Sequence, residues 1–103
     1  LGHAGNRRDA DVASVARVAA EFRPDRVVVK ETESHLRGRS PGEIPRLLRA
    51  ALLESGVPER AVAVLGSELA AAEDALAWAR EGDVLVLLLH SSAARAAVLE
   101  RLR

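Results

Sequence analysis

Short, largely apolar runs alternate along this chain with segments whose apolar residues recur every three or four positions. Three runs of strand length cover residues 26–30, 61–65 and 84–89. Helices cover both faces of a parallel sheet, so a strand within it is apolar at consecutive positions rather than at every second one. The runs therefore predict three buried parallel strands.

Four amphipathic segments precede, separate and follow these runs. The first spans residues 9–23 and ends at Pro24, and the second opens with Ser40-Pro41-Gly42-Glu43. A serine N-cap, a proline at the first helical position and a glutamate three residues after the cap together favour a helix start. This second helix stops at Gly56, a third begins at Ser67 or Glu68 and ends at Gly82-Asp83, and a fourth begins at Ser91 or Ser92.

The resulting order, αβαβαβα, predicts an α/β fold of three layers. We expect a Rossmann-like, mainly parallel sheet with helices on both faces, because short connections between alternating strands and helices favour that arrangement. The chain of 103 residues suffices for a single domain, residues 1–103. Since this architecture normally places a strand before the first helix, we expect the chain to be a fragment of a longer one.

The composition of the chain argues against several classes of binding partner. The formal net charge is +0, so the chain lacks the positive field that attracts nucleic acids or anionic membranes, and neither is expected as a partner. The longest apolar run, residues 84–89, is far shorter than the roughly 20 residues of a membrane span. Cysteine is absent, which excludes disulfides and thiolate metal sites and fits a reducing compartment, so cytoplasm is the expected location.

The predicted ligand edge is the one where the parallel strands end, because ligands of open parallel sheets bind there. Residues 2–9, 31–39, 66–67 and 90–92 belong to this edge. The first loop combines glycines, arginines and a helix N-terminus, as anion sites do, but a tight turn with solvated arginines and Asp9 as N-cap has the same composition. The second loop carries charges of both signs that suit a zwitterion, and an ordinary solvated loop would look the same.

Other kinds of site are less well supported. His3, His35 and His90 fall on the predicted ligand edge, but no pair has a spacing that one helix or turn would enforce, so no metal site is predicted. The chain has neither a G-x-x-x-x-G-K-[ST] phosphate loop nor a G-x-G-x-x-G loop. It also lacks a cysteine nucleophile and a G-x-S-x-G turn, so no catalytic residue is assigned.

Four segments together resemble a known family. These are Gly5-Asn6-Arg7-Arg8-Asp9 followed by a helix, Leu36-Arg37-Gly38-Arg39, Pro41-Gly42-Glu43-Ile44, and residues 79–87. In this order and spacing they resemble the C-terminal (third) domain of the Mur ligase family, most closely that of cyanophycin synthetase. The resemblance spans nearly the whole chain.

The resemblance implies a domain of an ATP-dependent carboxylate–amine ligase that is inactive alone. A central ATP-binding domain of the same parent chain would hold ATP and Mg²⁺, and this domain would close over it and bind the incoming amino acid. Asn6, Arg7, Arg8 and Asp9 would face the nucleotide, and Arg37 and Arg39 would lie near the amino acid, with His35 of the same loop as a further substrate-binding candidate. The family pattern has aspartate where this chain has Asn6, which removes a carboxylate from the nucleotide-facing loop.

A second function class stays open. A stand-alone Rossmann-like module that binds a small anion or a protein, without catalysis, has the same sequence features. A G-K-[ST] loop upstream in the parent chain would distinguish the ligase domain from the module. The sequence leaves open which amino acid is ligated, whether the parent makes cyanophycin, and whether copies assemble into a homo-oligomer.

Overall fold

The structure is a computed structural model that describes residues 1–2, 8–31 and 40–103. Four α-helices and two β-strands make up the described part. In chain order these are α1 (Asp9–Glu21), β1 (Val27–Lys30), α2 (Glu43–Glu54), β2 (Val62–Leu65), α3 (Glu68–Trp78) and α4 (Ser92–Arg101). A short 3₁₀ turn, Glu59–Ala61, leads into β2. None of the described helices is long and apolar enough to cross a membrane.

The two strands form a parallel sheet. Their register runs from Val27 opposite Val62 to Lys30 opposite Leu65, with α2 in the connection between them. This confirms an α/β fold with a parallel sheet and covering helices. The sheet formed by the described residues has two strands rather than three.

The prediction of a third strand at residues 84–89 is wrong for the described structure. This segment joins neither β1 nor β2, and Val84 and Val86 are 89% and 76% exposed. Its apolar run satisfies the local requirement for a strand, but a strand also needs a neighbouring edge with free N–H and C=O groups. On β1, part of the edge opposite β2 is used by Leu1, which donates to the Val28 carbonyl and accepts from the Lys30 amide.

The core lies between one face of β1 and the first two helices. Val27 and Val29 of β1 share this face, because side chains alternate along a strand, and both are buried. Val12 and Ala16 of α1 pack against them together with the apolar face of α2. The other buried members of this cluster are Ile44, Leu48, Ala51, Leu52, Val57 and Ala61.

Two ion pairs fix α3 along the opposite face of β1. Arg26, just before β1, donates two hydrogen bonds of 3.1 and 2.8 Å to Asp74 Oδ1. At the other end of the strand, Lys30 Nζ lies 3.1 Å from Glu68 Oε1. Since Glu68 precedes Asp74 in α3 while Arg26 precedes Lys30 in the chain, α3 runs antiparallel to β1.

The helix caps agree with the sequence for two helices and disagree for one. Ser67 and Ser91 are N-caps whose hydroxyls accept hydrogen bonds from Ala70 N and Ala94 N. The expected Ser40 cap is wrong, because α2 begins after Gly42, which has a left-handed conformation with φ of 82° and no side-chain cap bond. The Gly42 amide instead donates to Glu31 Oε2. A carboxylate from outside the helix thus replaces the expected serine.

Candidate functional site

A group of polar side chains occupies the edge of the sheet where β1 ends. Lys30 is the last residue of β1, Glu68 is the first of α3, and His90 and Ser91 lead into α4. These four residues define the strand-end cluster. They come from three separate parts of the chain, and the parallel sheet with its covering helices brings them together.

Lys30 is the most buried charged residue of the cluster. Its side chain is 2% exposed, and its ammonium donates to Glu68 Oε1 and to the Leu88 carbonyl. An ammonium group is costly to bury unless it is paired and hydrogen-bonded. These two acceptors meet that requirement and tie residues 84–89 to β1 through a side chain rather than through a ladder.

Glu68 contacts each of the other three residues of the strand-end cluster. Its Oε1 accepts from Lys30 Nζ at 3.1 Å and from the His90 amide at 3.0 Å. Its Oε2 accepts from the Ser91 amide at 2.9 Å. These two amides lie at the start of α4, where backbone N–H groups lack partners within the helix and favour a nearby negative charge.

The surroundings of Glu68 stabilise its ionised form. Burial by itself raises the pKa of this carboxyl, but the amides of Ser91 and His90 and the Lys30 ammonium outweigh that effect and lower the pKa to about 2. Glu68 is therefore a carboxylate throughout the physiological range. A carboxylate accepts hydrogen bonds and donates none.

The His90 ring projects from the cluster towards solvent. Its side chain is 49% exposed, and its Nδ1 lies 3.2 Å from Glu68 Oε1. Because the Glu68 carboxylate can only accept, Nδ1 must carry the hydrogen in this contact. Arg95 of α4 fixes the neighbouring backbone by donating to the His90 and Leu89 carbonyls at 3.1 and 3.0 Å.

A cleft of about 300 Å³ lies at the same edge, next to β2. Glu31, Gly42 and Arg46 supply its polar groups, and its other lining residues are Pro45 and 64–66. Glu31 is 8% exposed, and its Oε1 has no hydrogen-bond partner within residues 1–2, 8–31 and 40–103. A buried acceptor without a partner costs about 1–3 kcal/mol, so a hydrogen-bond donor bound beside Glu31 would offset that cost.

Two of the residues predicted to face a nucleotide lie within the described structure. Arg8 is the residue before α1, its side chain is 87% exposed, and its Nε lies 3.4 Å from Asp11 Oδ2. Asp9 is the exposed first residue of α1 and provides no N-cap, since the N-cap position belongs to Arg8. The other predicted site residues, Asn6, Arg7, His35, Arg37 and Arg39, lie outside the described residues.

Sequence reasoning missed the strand-end cluster, although one signal pointed to it. Lys30 is the only lysine of the chain and directly follows three valines in a predicted buried strand. A buried lysine needs an acidic partner, so its position predicts a buried carboxylate nearby. The partner lies 38 residues further along the chain, and sequence spacing gives no indication of it.

The described residues contain no group of three or more His, Asp or Glu side chains that could hold a metal ion. Comparison of the chain with protein-family models, with curated proteins and with solved structures gives no match in any of the three. The chemistry of the strand-end cluster and of the cleft is therefore the basis for a functional proposal.

Proposed function

We propose that this chain is the third domain of an ATP-dependent amide ligase of the Mur type, which closes over the nucleotide and binds the incoming amino acid. The observation that carries the proposal is the position of the strand-end cluster. Lys30, Glu68 and His90 lie together where parallel strands end, and this is the edge at which open α/β sheets bind ligands.

The resemblance in sequence supports the same edge. The resemblance rests in part on two segments. Gly5-Asn6-Arg7-Arg8-Asp9 leads into the first residue of α1, and Leu36-Arg37-Gly38-Arg39 lies between β1 and α2 in the chain. In the proposed ligase, arginines of these loops neutralise phosphate and carboxylate charge. ATP and Mg²⁺ bind to the central domain, which phosphorylates a carboxylate before the amine attacks. A fuller Rossmann-like sheet in three layers and a cytoplasmic location belong to this proposal.

The alternative is a stand-alone module that binds a small anion or a protein. Glu31 and Arg46, which carry opposite charges, both line the described cleft, so its charge favours neither an anion nor a cation.

The proposal is tested with the isolated chain and with an intact protein that contains it. We expect the isolated chain to fold and to release no ADP from ATP, because it has no phosphate-binding lysine loop and no second domain to exclude water. The intact protein should release ADP only when both a carboxylate substrate and an amino acid are present. ATP turnover by the isolated chain, or an intact protein without a G-K-[ST] loop, would contradict the proposal.

A further inference from the structure

The contact between His90 and Glu68 determines which ring nitrogen of His90 is available. Glu68 is 7% exposed, and its Oε1 lies 3.2 Å from His90 Nδ1. An acceptor at this distance selects the neutral tautomer that carries hydrogen on Nδ1. His90 Nε2 then keeps its lone pair, and it has no partner among the described residues.

The backbone around His90 is held in place by the same carboxylate. The amides of His90 and Ser91 both donate to Glu68, and Arg95 donates to the His90 carbonyl. These hydrogen bonds therefore fix the backbone that carries the half-exposed His90 ring. A proton acceptor that acts on a bound ligand needs such a defined position.

Three charged side chains lie around His90. Its ring and the Lys30 ammonium contact the same Glu68 carboxylate, and the Arg95 guanidinium donates to the His90 carbonyl. Glu68 is the group in direct contact with the ring, and Lys30 reaches it through that carboxylate.

We propose that His90 is a proton acceptor at the ligand edge, with Glu68 as its positioning residue. This inference rests on the proposed ligase function, in which the incoming amino acid arrives as an ammonium ion and must lose a proton before it attacks. The substrate N–H bond breaks, its electron pair stays on the substrate nitrogen, and the proton forms a new bond to His90 Nε2. The resulting imidazolium keeps its Nδ1–H on Glu68.

The geometric part of the proposal is tested on the isolated chain by ¹⁵N NMR of its imidazoles at alkaline pH, where they are neutral. We expect hydrogen on Nδ1 of His90 and a bare Nε2. In Glu68→Gln the ratio of the two tautomers should move towards Nε2–H by at least about threefold, because a neutral acceptor binds Nδ1–H less strongly than a carboxylate does. The control Glu100→Gln removes an exposed carboxylate of α4 and should leave the ratio unchanged.

A wild-type His90 with hydrogen on Nε2 would overturn the proposal. This measurement is made on the wild-type chain, so its outcome does not depend on whether a variant folds.

In the intact ligase, His90→Asn should lower kcat by at least about a hundredfold while KM for ATP changes little, and added imidazole should restore part of the rate. An intact protein without ligase activity would overturn both the proposed function and the role of His90. Normal activity of His90→Asn would overturn only the role of His90.

Discussion

At the scale of single residues, the buried pair of Lys30 and Glu68 dominates the described structure. Both side chains are less than a tenth exposed, and each satisfies part of the other's need for a partner. A buried ion pair is weak evidence for net stabilisation, because its attraction must first offset the cost of removing two charges from water. Removal of one partner is strongly destabilising, because it leaves the other charge buried and unpaired.

We therefore predict that Lys30→Met lowers the free energy of unfolding by about 3–5 kcal/mol, because Glu68 loses its ammonium partner. The double variant Lys30→Met/Glu68→Gln should recover part of this loss, since no unpaired charge then remains. Urea denaturation of the wild type, both single variants and the double variant measures the coupling.

The control for the lysine variant is Arg49→Gln, which breaks the exposed pair between Arg49 and Glu59, and its cost should stay below about 1 kcal/mol. Equal costs for Lys30→Met and Arg49→Gln would mean that the buried pair is not formed in solution.

The pKa of Glu68 leads to a pH prediction. The pKa is lowered from 4.5 to about 2 in the folded chain, so the carboxylate stabilises the fold fully above pH 4.5 and loses that effect as the pH falls towards 2. By linkage the contribution is about 3 kcal/mol. The difference in unfolding free energy between wild type and Glu68→Gln should shrink over this range, as followed by denaturation at a series of pH values. A constant difference would show that the folded and unfolded pKa values are alike.

At the scale of secondary-structure elements, the helix starts show what local sequence can and cannot specify. Ser67 and Ser91 cap their own helices, and the sequence places each of these two starts to within one residue, at Ser67 or Glu68 and at Ser91 or Ser92, because a cap acts on amides only a few residues away. The start of α2 was assigned to Ser40 on the same reasoning, but the Gly42 amide is satisfied by Glu31. Glu31 lies 11 residues before Gly42, and no rule of local spacing selects it.

Serine-to-alanine substitutions test this difference. Ser67→Ala should cost about 1 kcal/mol, because it removes the acceptor of the Ala70 amide. Ser40→Ala should cost less than about 0.5 kcal/mol, because Ser40 is exposed and its side chain caps no helix. Chemical denaturation midpoints give both values. A larger loss for Ser40 than for Ser67 would restore the expected capping box.

The strands, like the helix starts, depend on contacts that local sequence does not specify. The predicted runs 26–30 and 61–65 contain the paired strands 27–30 and 62–65. Residues 84–89 have an equally apolar sequence and no ladder partner among the described residues. Strand propensity is a local property, but pairing depends on which edges the rest of the fold leaves free. The strand-end cluster was missed for the same reason, because Lys30 and Glu68 meet only through the fold.

At the scale of the whole molecule, apolar side chains are unevenly buried. The cluster around Val29 and Leu48 is fully enclosed by α1, α2 and β1. Along residues 84–89, by contrast, Val84, Val86 and Leu88 are 89%, 76% and 51% exposed. Regions with few buried apolar contacts and unpaired amides open at little cost in free energy, so the two regions should differ in local stability.

Native-state hydrogen exchange should therefore divide the chain into a protected core and a weakly protected segment. Amides of β1 and β2 that pair in the sheet should exchange at rates near those of global unfolding, and amides of residues 84–89 should exchange far faster. A matched pair of variants tests the same difference through the free energy of unfolding. Val29→Ala should cost about 2 kcal/mol because it leaves a cavity in the core, and Val86→Ala should change stability by less than about 0.5 kcal/mol. If residues 84–89 were as protected as β1 and Val86→Ala were as costly as Val29→Ala, the segment would be a paired strand in solution, as its sequence predicts.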